Sequence, residues 1–236
     1  RAQGRAQGRA QGTGRSENCF FHSFSGNLTF LLAVNEGFIE ICFPYFDGCS
    51  SISKAGRKGL AAIFFKLTII PVMTLLSVYW VITYNLIRNT YGINKIQGKI
   101  MLLFGIIGSF FGIIYTSFLG SEGDIYQLLR RVGIYFFFLG TYLGQILETN
   151  LIGNIEATKL SFYPKTMRFI TFFIGCIILI SMPVYGFIDE DDWLENILEW
   201  NITLLIFLYF ILSSLFWRIG KLRLNLESIY LERGKP

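Results

Sequence analysis

The sequence predicts an all-α fold: a polytopic transmembrane helical bundle with five clear spans and a weak first span, six in total. Three observations predict it. Apolar stretches at roughly 60–86, 100–119, 132–149, 168–188 and 197–217 each have the length of about 20 residues that crosses a hydrocarbon core. They are continuous rather than alternating, which excludes the dyad pattern of a membrane barrel, and in lipid only helices or closed barrels satisfy every backbone group. Charged residues make up 16% of the chain and hydrophobic ones 53%, against about 25% charged in a soluble domain. The 236 residues therefore leave no room for a separate soluble domain beside the spans.

Along the chain, residues 1–12 are three copies of Arg-Ala-Gln-Gly. Such a run cannot bury apolar surface and is expected to be disordered. Residues 1–18 are read as a low-complexity tail or artefact, 19–220 as the six-span membrane domain and 221–236 as a cytoplasmic tail. The chain does not begin with Met, which fits a missing natural start. Residues 20–41 form the weak span, interrupted by His22, Asn27, Asn35, Glu36 and Glu40. A charge near a span's centre costs about 2.5–3.5 kcal/mol on insertion. This segment either inserts with help from its neighbours or is the remnant of a span.

The loop FPYFDGCSSISKAGRKG that follows is dense in turn and capping residues, so Ser53 or a neighbour is expected to cap span two. Span two opens near Leu60 and carries Pro71, where a kink is expected. Spans three and four hold Gly108–Gly112 and Gly140–Gly144, GxxxG pairs that let backbones approach closely. They serve a dimer interface or, as preferred here, packing within the chain. Pro183 is expected to kink the end of span five. Tyr79, Trp80, Tyr84, Trp193, Trp200 and Trp217 lie near predicted span ends, as an aromatic belt requires.

Orientation follows from Lys and Arg in the short loops. Arg88, Lys95 and Lys99 follow span two, Lys159, Lys165 and Arg168 follow span four, and Arg218, Lys221, Arg223, Arg233 and Lys235 follow span six. These segments share one face, assigned to the cytoplasm together with the C-terminus. The opposite face holds Glu122, Asp124 and the acidic run Asp189–Asp192, although Arg130, Arg131, Lys54, Arg57 and Lys58 lie there too. The net charge of +5 is explained by basic loops and anionic headgroups. Nucleic acid is excluded as a partner, because no basic face with interleaved aromatics lies outside the spans. Cys42 and Cys49 share the first external loop, where a disulfide is open if that loop meets an oxidising compartment. With one His and no CxxC pair, neither a metal site nor a cofactor is expected.

No catalytic residue can be named, for no HExxH, GxSxG or Gly-rich phosphate loop is present. The candidates are of two other kinds. In the external loop, Asp47, Ser51, Ser53 and Arg57 combine hydroxyls with a guanidinium suited to a phosphate or glycan headgroup. The bland alternative is a solvated loop that caps span two. Glu199 and Trp200, which open the last span, join the loop residues as lipid-binding candidates, with favourable charge at a helix N-terminus as the bland alternative for Glu199. Within span four, Gln145 and Glu148 are polar at membrane depth, and an ionisable residue there is a functional candidate by default. Equally, Glu148 near Asn150 could reach the interface.

Two places resemble the Frag/DRAM/Sfk family of six-span membrane proteins. Pro44, Ser51, Ser53 and Ala55 look like that family's loop between spans one and two, "Pro, then Ser-x-Ser-x-Ala", with looser spacing after Pro44. The segment LENILEWNITLLIFLYFILSSLFW resembles the family's last span, with Glu199-Trp200 at its outer end. The resemblance covers about residues 36–218 and implies six spans, both termini cytoplasmic, an external first loop and a part in membrane-lipid organisation or in lipid or GPI-anchor remodelling. It supplies no catalytic residues. The expected partners are membrane lipids and, through the glycine-rich helix faces, membrane proteins. A small transporter or channel using Glu148, and a non-catalytic membrane scaffold, are the alternatives.

Overall fold

The computed structural model describes residues 14–91, 95–153, 162–187 and 193–219. The low-complexity repeat, the acidic run Asp189–Asp192 and the tail 221–236 lie outside them. Among the described residues there are helices and no strands: α1 (Gly14–Asn35), α2 (Pro44–Asp47), α3 (Ile52–Ala55), α4 (Gly59–Tyr91), α5 (Lys95–Phe118), α6 (Asp124–Gly153), α7 (Phe162–Phe187) and α8 (Trp193–Ile219).

Four of them, within α4, α5, α7 and α8, are long and apolar enough to cross a membrane. Each keeps large apolar side chains exposed, Leu67, Leu103, Phe172 and Leu208 among them, the surface that lipid tails would cover. The sequence reading counted 132–149 as a fifth clear span. It lies in α6, where Arg130, Arg131, Gln145 and Glu148 dilute the apolar run. α1 ends at Asn35, so 36–41, read from sequence as the end of the weak span, is a turn outside the helix. The physical reason is Glu36. Its carboxylate accepts from Leu60 N at 3.0 Å and Ala61 N at 3.3 Å, serving the unpaired donors at the start of α4. The cap expected of Ser53 is therefore supplied by Glu36.

The six long helices form a closed ring: α1 packs on α4, α4 on α5, α5 on α6, α6 on α7, α7 on α8, and α8 returns to α1. Small residues set the tightest crossing. A Cβ on Gly140 would lie 2.8 Å from Phe104 O, and one on Gly108 would lie 2.9 Å from Thr141 N. Gly112 faces Met73 and Phe137, and Gly144 faces the Trp80 ring. Both GxxxG pairs are thus spent inside the chain.

Trp80 explains a correction. Read from sequence as part of an interfacial belt, Trp80, Trp200 and Trp217 are buried, while Trp193 remains exposed. α4 has 33 residues, about 50 Å at the helical rise, so Trp80 lies well inside it rather than at its end. Arg130, anomalous on the acidic face, donates to Phe118 O at 3.4 Å and to Ser121 O, closing the last carbonyls of α5 as a cation at a helix C-terminus does.

Two apolar cores fill the ring. One gathers Phe30, Phe65, Ile69, Phe137 and Trp200 beneath α2 and α3; the other gathers Trp80, Met101, Leu151, Met167 and Phe216 toward the opposite end.

Candidate functional site

Local sequence shapes the loop that roofs the first core. Pro44 opens α2 and Gly48 closes it in the left-handed region at φ 60°, the arrangement both residues favour. Glycine is also required sterically, since a Cβ there would collide with the Trp193 carbonyl. Asp47, exposed, accepts from Phe43 N at 2.7 Å. Ser51 is the N-cap of α3, accepting from Lys54 N at 3.0 Å, and its hydroxyl meets that of Ser53 at 2.8 Å. The roof is pinned at its base by a Cys42–Cys49 disulfide. Replacing both cysteines with serine should lower stability by about 2 kcal/mol, read as a fall in Tm that reductant reproduces in the unsubstituted protein.

α8 holds this roof with four side chains. Asn196 donates to Gly48 O at 2.7 Å, Trp200 Nε1 to Ser50 O at 2.9 Å and Asn201 to Tyr45 O at 3.1 Å, while Glu199 Oε1 accepts from Ser53 N at 3.3 Å. The structure therefore brings Ser51, Ser53, Glu199 and Trp200 together, bonded within the protein itself. Arg57 differs: its side chain is exposed, close enough to Glu199 and Tyr115 to act on both electrostatically.

Under the roof lies a cavity of about 50 Å³ between α1, α4, α5, α6 and α8, lined mainly by apolar side chains such as Phe65, Ile69, Met73, Phe137 and Leu204. One water needs about 10–15 Å³ and a benzene about 150 Å³, and apolar cavities stay dry and take apolar ligands, so this one has room for a few methylenes. The lining also includes Glu199 and Tyr115. The Tyr115 hydroxyl is buried without a hydrogen-bond partner, a cost that a polar ligand would relieve. The cavity is thus amphipathic, apolar along its length with unspent polarity at one end.

Glu148 lies deeper, in a second cluster that joins three helices across the ring. Its Oε1 accepts from Tyr79 Oη of α4 at 2.6 Å and Ser213 Oγ of α8 at 2.7 Å, and its Oε2 from Tyr209 Oη at 3.1 Å. Tyr209 also donates to Gln145 O at 2.9 Å and meets Thr149 Oγ1 at 2.9 Å. Glu148 and Gln145 are fully buried, so neither reaches the interface. Sequence reasoning missed Tyr115, Tyr79, Tyr209 and Ser213. For the last three a signal existed: Tyr79 with Thr83, Tyr209 with Ser213, and Gln145 with Glu148 each put a polar stripe on one helix face. Among the described residues, no group of three His, Cys, Asp or Glu is placed to hold a metal ion.

No family model matches the chain, and neither a curated protein nor a solved structure does.

Proposed function

We propose that the chain is a six-span integral membrane protein that binds a membrane lipid, a few methylenes of one acyl chain entering the cavity beneath the roof and the headgroup resting at Arg57, Tyr115 and Glu199. The observation that carries this reading is the cavity itself, with its apolar lining and the orphaned Tyr115 hydroxyl at its polar end. Arg57 suits a phosphate, because its guanidinium donates in a planar fork. Glu199 and Tyr115 suit a headgroup that also carries a donor, such as an ammonium or a sugar hydroxyl. The role is lipid organisation or remodelling of the Frag/DRAM/Sfk kind, with the Ser51, Ser53 and Ala55 loop and Glu199-Trp200 as the supporting likeness.

Six spans are proposed because α1 and α6 complete the ring begun by the four apolar helices. The end of the ring bearing the Cys42–Cys49 disulfide is assigned to the oxidising, external side. The C-terminus, beyond Arg218, is then cytoplasmic, in accord with the basic loops. Lipids are the partners this reading needs; a scaffold role loses its support, since the glycines argued for it pack internally.

The test is mass spectrometry of lipid retained by the protein in nanodiscs of mixed composition. One lipid class should be enriched in the unsubstituted protein, lost on filling the cavity with Leu204→Trp, and altered in headgroup preference by Arg57→Ala. Equal, unselective lipid in all three samples would overturn it.

A further inference from the structure

The Glu148 cluster is short of hydrogen. Tyr79 Oη, Ser213 Oγ and Glu148 Oε1 form a triangle with edges of 2.6, 2.6 and 2.7 Å. Each hydroxyl brings a single proton, and an ionised carboxylate brings none. Two protons therefore serve three edges. With both hydroxyls donating to Oε1, the Tyr79–Ser213 edge sets lone pair against lone pair at hydrogen-bonding distance. A third proton, on Glu148, closes the ring, each oxygen donating to the next. Tyr209 is stretched similarly, with one proton for Gln145 O and Glu148 Oε2.

Among the described residues, no buried cation offsets the carboxylate. Arg88 of α4, Lys99 of α5, Arg168 of α7 and Arg218 of α8 are all exposed. The titratable side chains that touch it are Tyr79 and Tyr209. Around the cluster, further polar atoms are buried without a hydrogen bond of good geometry: both amide atoms of Gln145, Thr83 Oγ1 beside Tyr79 and Trp217 Nε1 beside Glu148. Thr83 lies one turn beyond Tyr79 and Trp217 one turn beyond Ser213, on the same helix faces. Both steps lead toward the helix ends that carry Arg88 and Arg218. From Ser213 to the end of α8 at Ile219 is about 9 Å of helix. Orphaned buried polar groups of this kind mark places for ordered water.

We propose that Glu148 is a buried proton-exchange site that takes its proton from water at the Arg88 and Arg218 end of the bundle and returns it there through ordered water held by Thr83, Gln145 and Trp217. The ligand is the proton alone; O–H bonds form and break, and no other bond changes. This inference does not depend on the lipid cavity, which lies at the other end of the ring.

The experiment is infrared difference spectroscopy of the full chain in nanodiscs as pH is stepped through the range in which it stays folded. A protonated carboxyl band that appears and disappears reversibly is expected. Glu148→Gln should abolish it while retaining the fold, since with its nitrogen in the place of Oε1 the amide donates to both Tyr79 and Ser213, leaves a hydroxyl proton for the edge between them, and accepts from Tyr209 through its oxygen. Tyr79→Phe should shift the band, and this variant carries the test if Glu148→Gln does not fold. A spectrum unchanged by either variant would overturn the proposal. So would a Glu148 band that stays protonated, or stays ionised, at every pH.

Discussion

Replacing Gly140 with leucine should abolish the folded ring. A Cβ at that position already meets Phe104 O at 2.8 Å and Gly108 Cα at 2.9 Å. Both are backbone atoms, and neither can swing aside as a side chain would, so α5 and α6 must separate along their whole crossing. Overpacking typically costs 1–3 kcal/mol, and the leucine is expected at or above the upper figure, roughly 3 kcal/mol. The measurement is thermal stability followed by size-exclusion chromatography in detergent. A well-behaved monodisperse peak with unchanged Tm would show that the α5–α6 crossing is not built on these glycines. Gly144→Leu provides the graded comparison. Its obstacle is the Trp80 ring, which a Cβ would approach at 2.9 Å, and the far end of a side chain yields more readily than backbone.

Trp200→Ala should have an effect at least as large. The indole is 2% exposed, packs edge-on to Phe30 with centroids 6.0 Å apart and against Tyr45 at 5.1 Å, and ties the roof through Ser50 O. Truncating a buried tryptophan costs about 3–5 kcal/mol. Trp200→Phe separates the two contributions: it keeps most of the apolar contact and removes only the N–H donation, worth about 1 kcal/mol. Tm should therefore fall steeply for the alanine variant and slightly for the phenylalanine variant. Equal falls would place the stabilisation in the hydrogen bond instead of the packing.

Much of this architecture was legible in the chain, and the reason is the period and length of the apolar runs. The stretches at 60–86 and 197–217 lie inside α4 and α8, whose ends extend further because helical hydrogen bonding continues into the polar flanks, and 100–119 overruns the end of α5 at Phe118 by one residue. α6 was legible as a helix, but the clear span expected at 132–149 is not among the four helices apolar enough to cross a membrane, because Gln145 and Glu148 serve the interior of the ring. The turn at 36–41 was not legible. Glu36 reads as an unwelcome charge in a span until Leu60 and Ala61, distant in sequence, are seen to donate to it.

The site was visible in pieces. Ser51, Ser53, Glu199 and Trp200 were singled out for headgroup chemistry, and the structure shows Ser51 bonded to Ser53, Ser53 to Glu199 and Trp200 to Ser50 as the fastening of the roof, with Arg57 left exposed. Tyr115 carried no signal at all. One tyrosine in an apolar span is indistinguishable from a packing residue until its neighbours are known. Trp80 misled for a related reason: a tryptophan late in an apolar run reads as an interfacial anchor, whereas the glycines that make room for it lie on α5 and α6.

The lipid site can be located directly with a phospholipid carrying a photoactivatable group at the end of one acyl chain, cross-linked to the protein in nanodiscs and mapped by peptide mass spectrometry. The expected result is label concentrated on Phe65, Ile69, Met73 and Phe137 inside the ring, and removed by Leu204→Trp. Label confined to the outward-facing Leu67, Leu103 and Phe172, and indifferent to that substitution, would contradict a lipid site within the bundle.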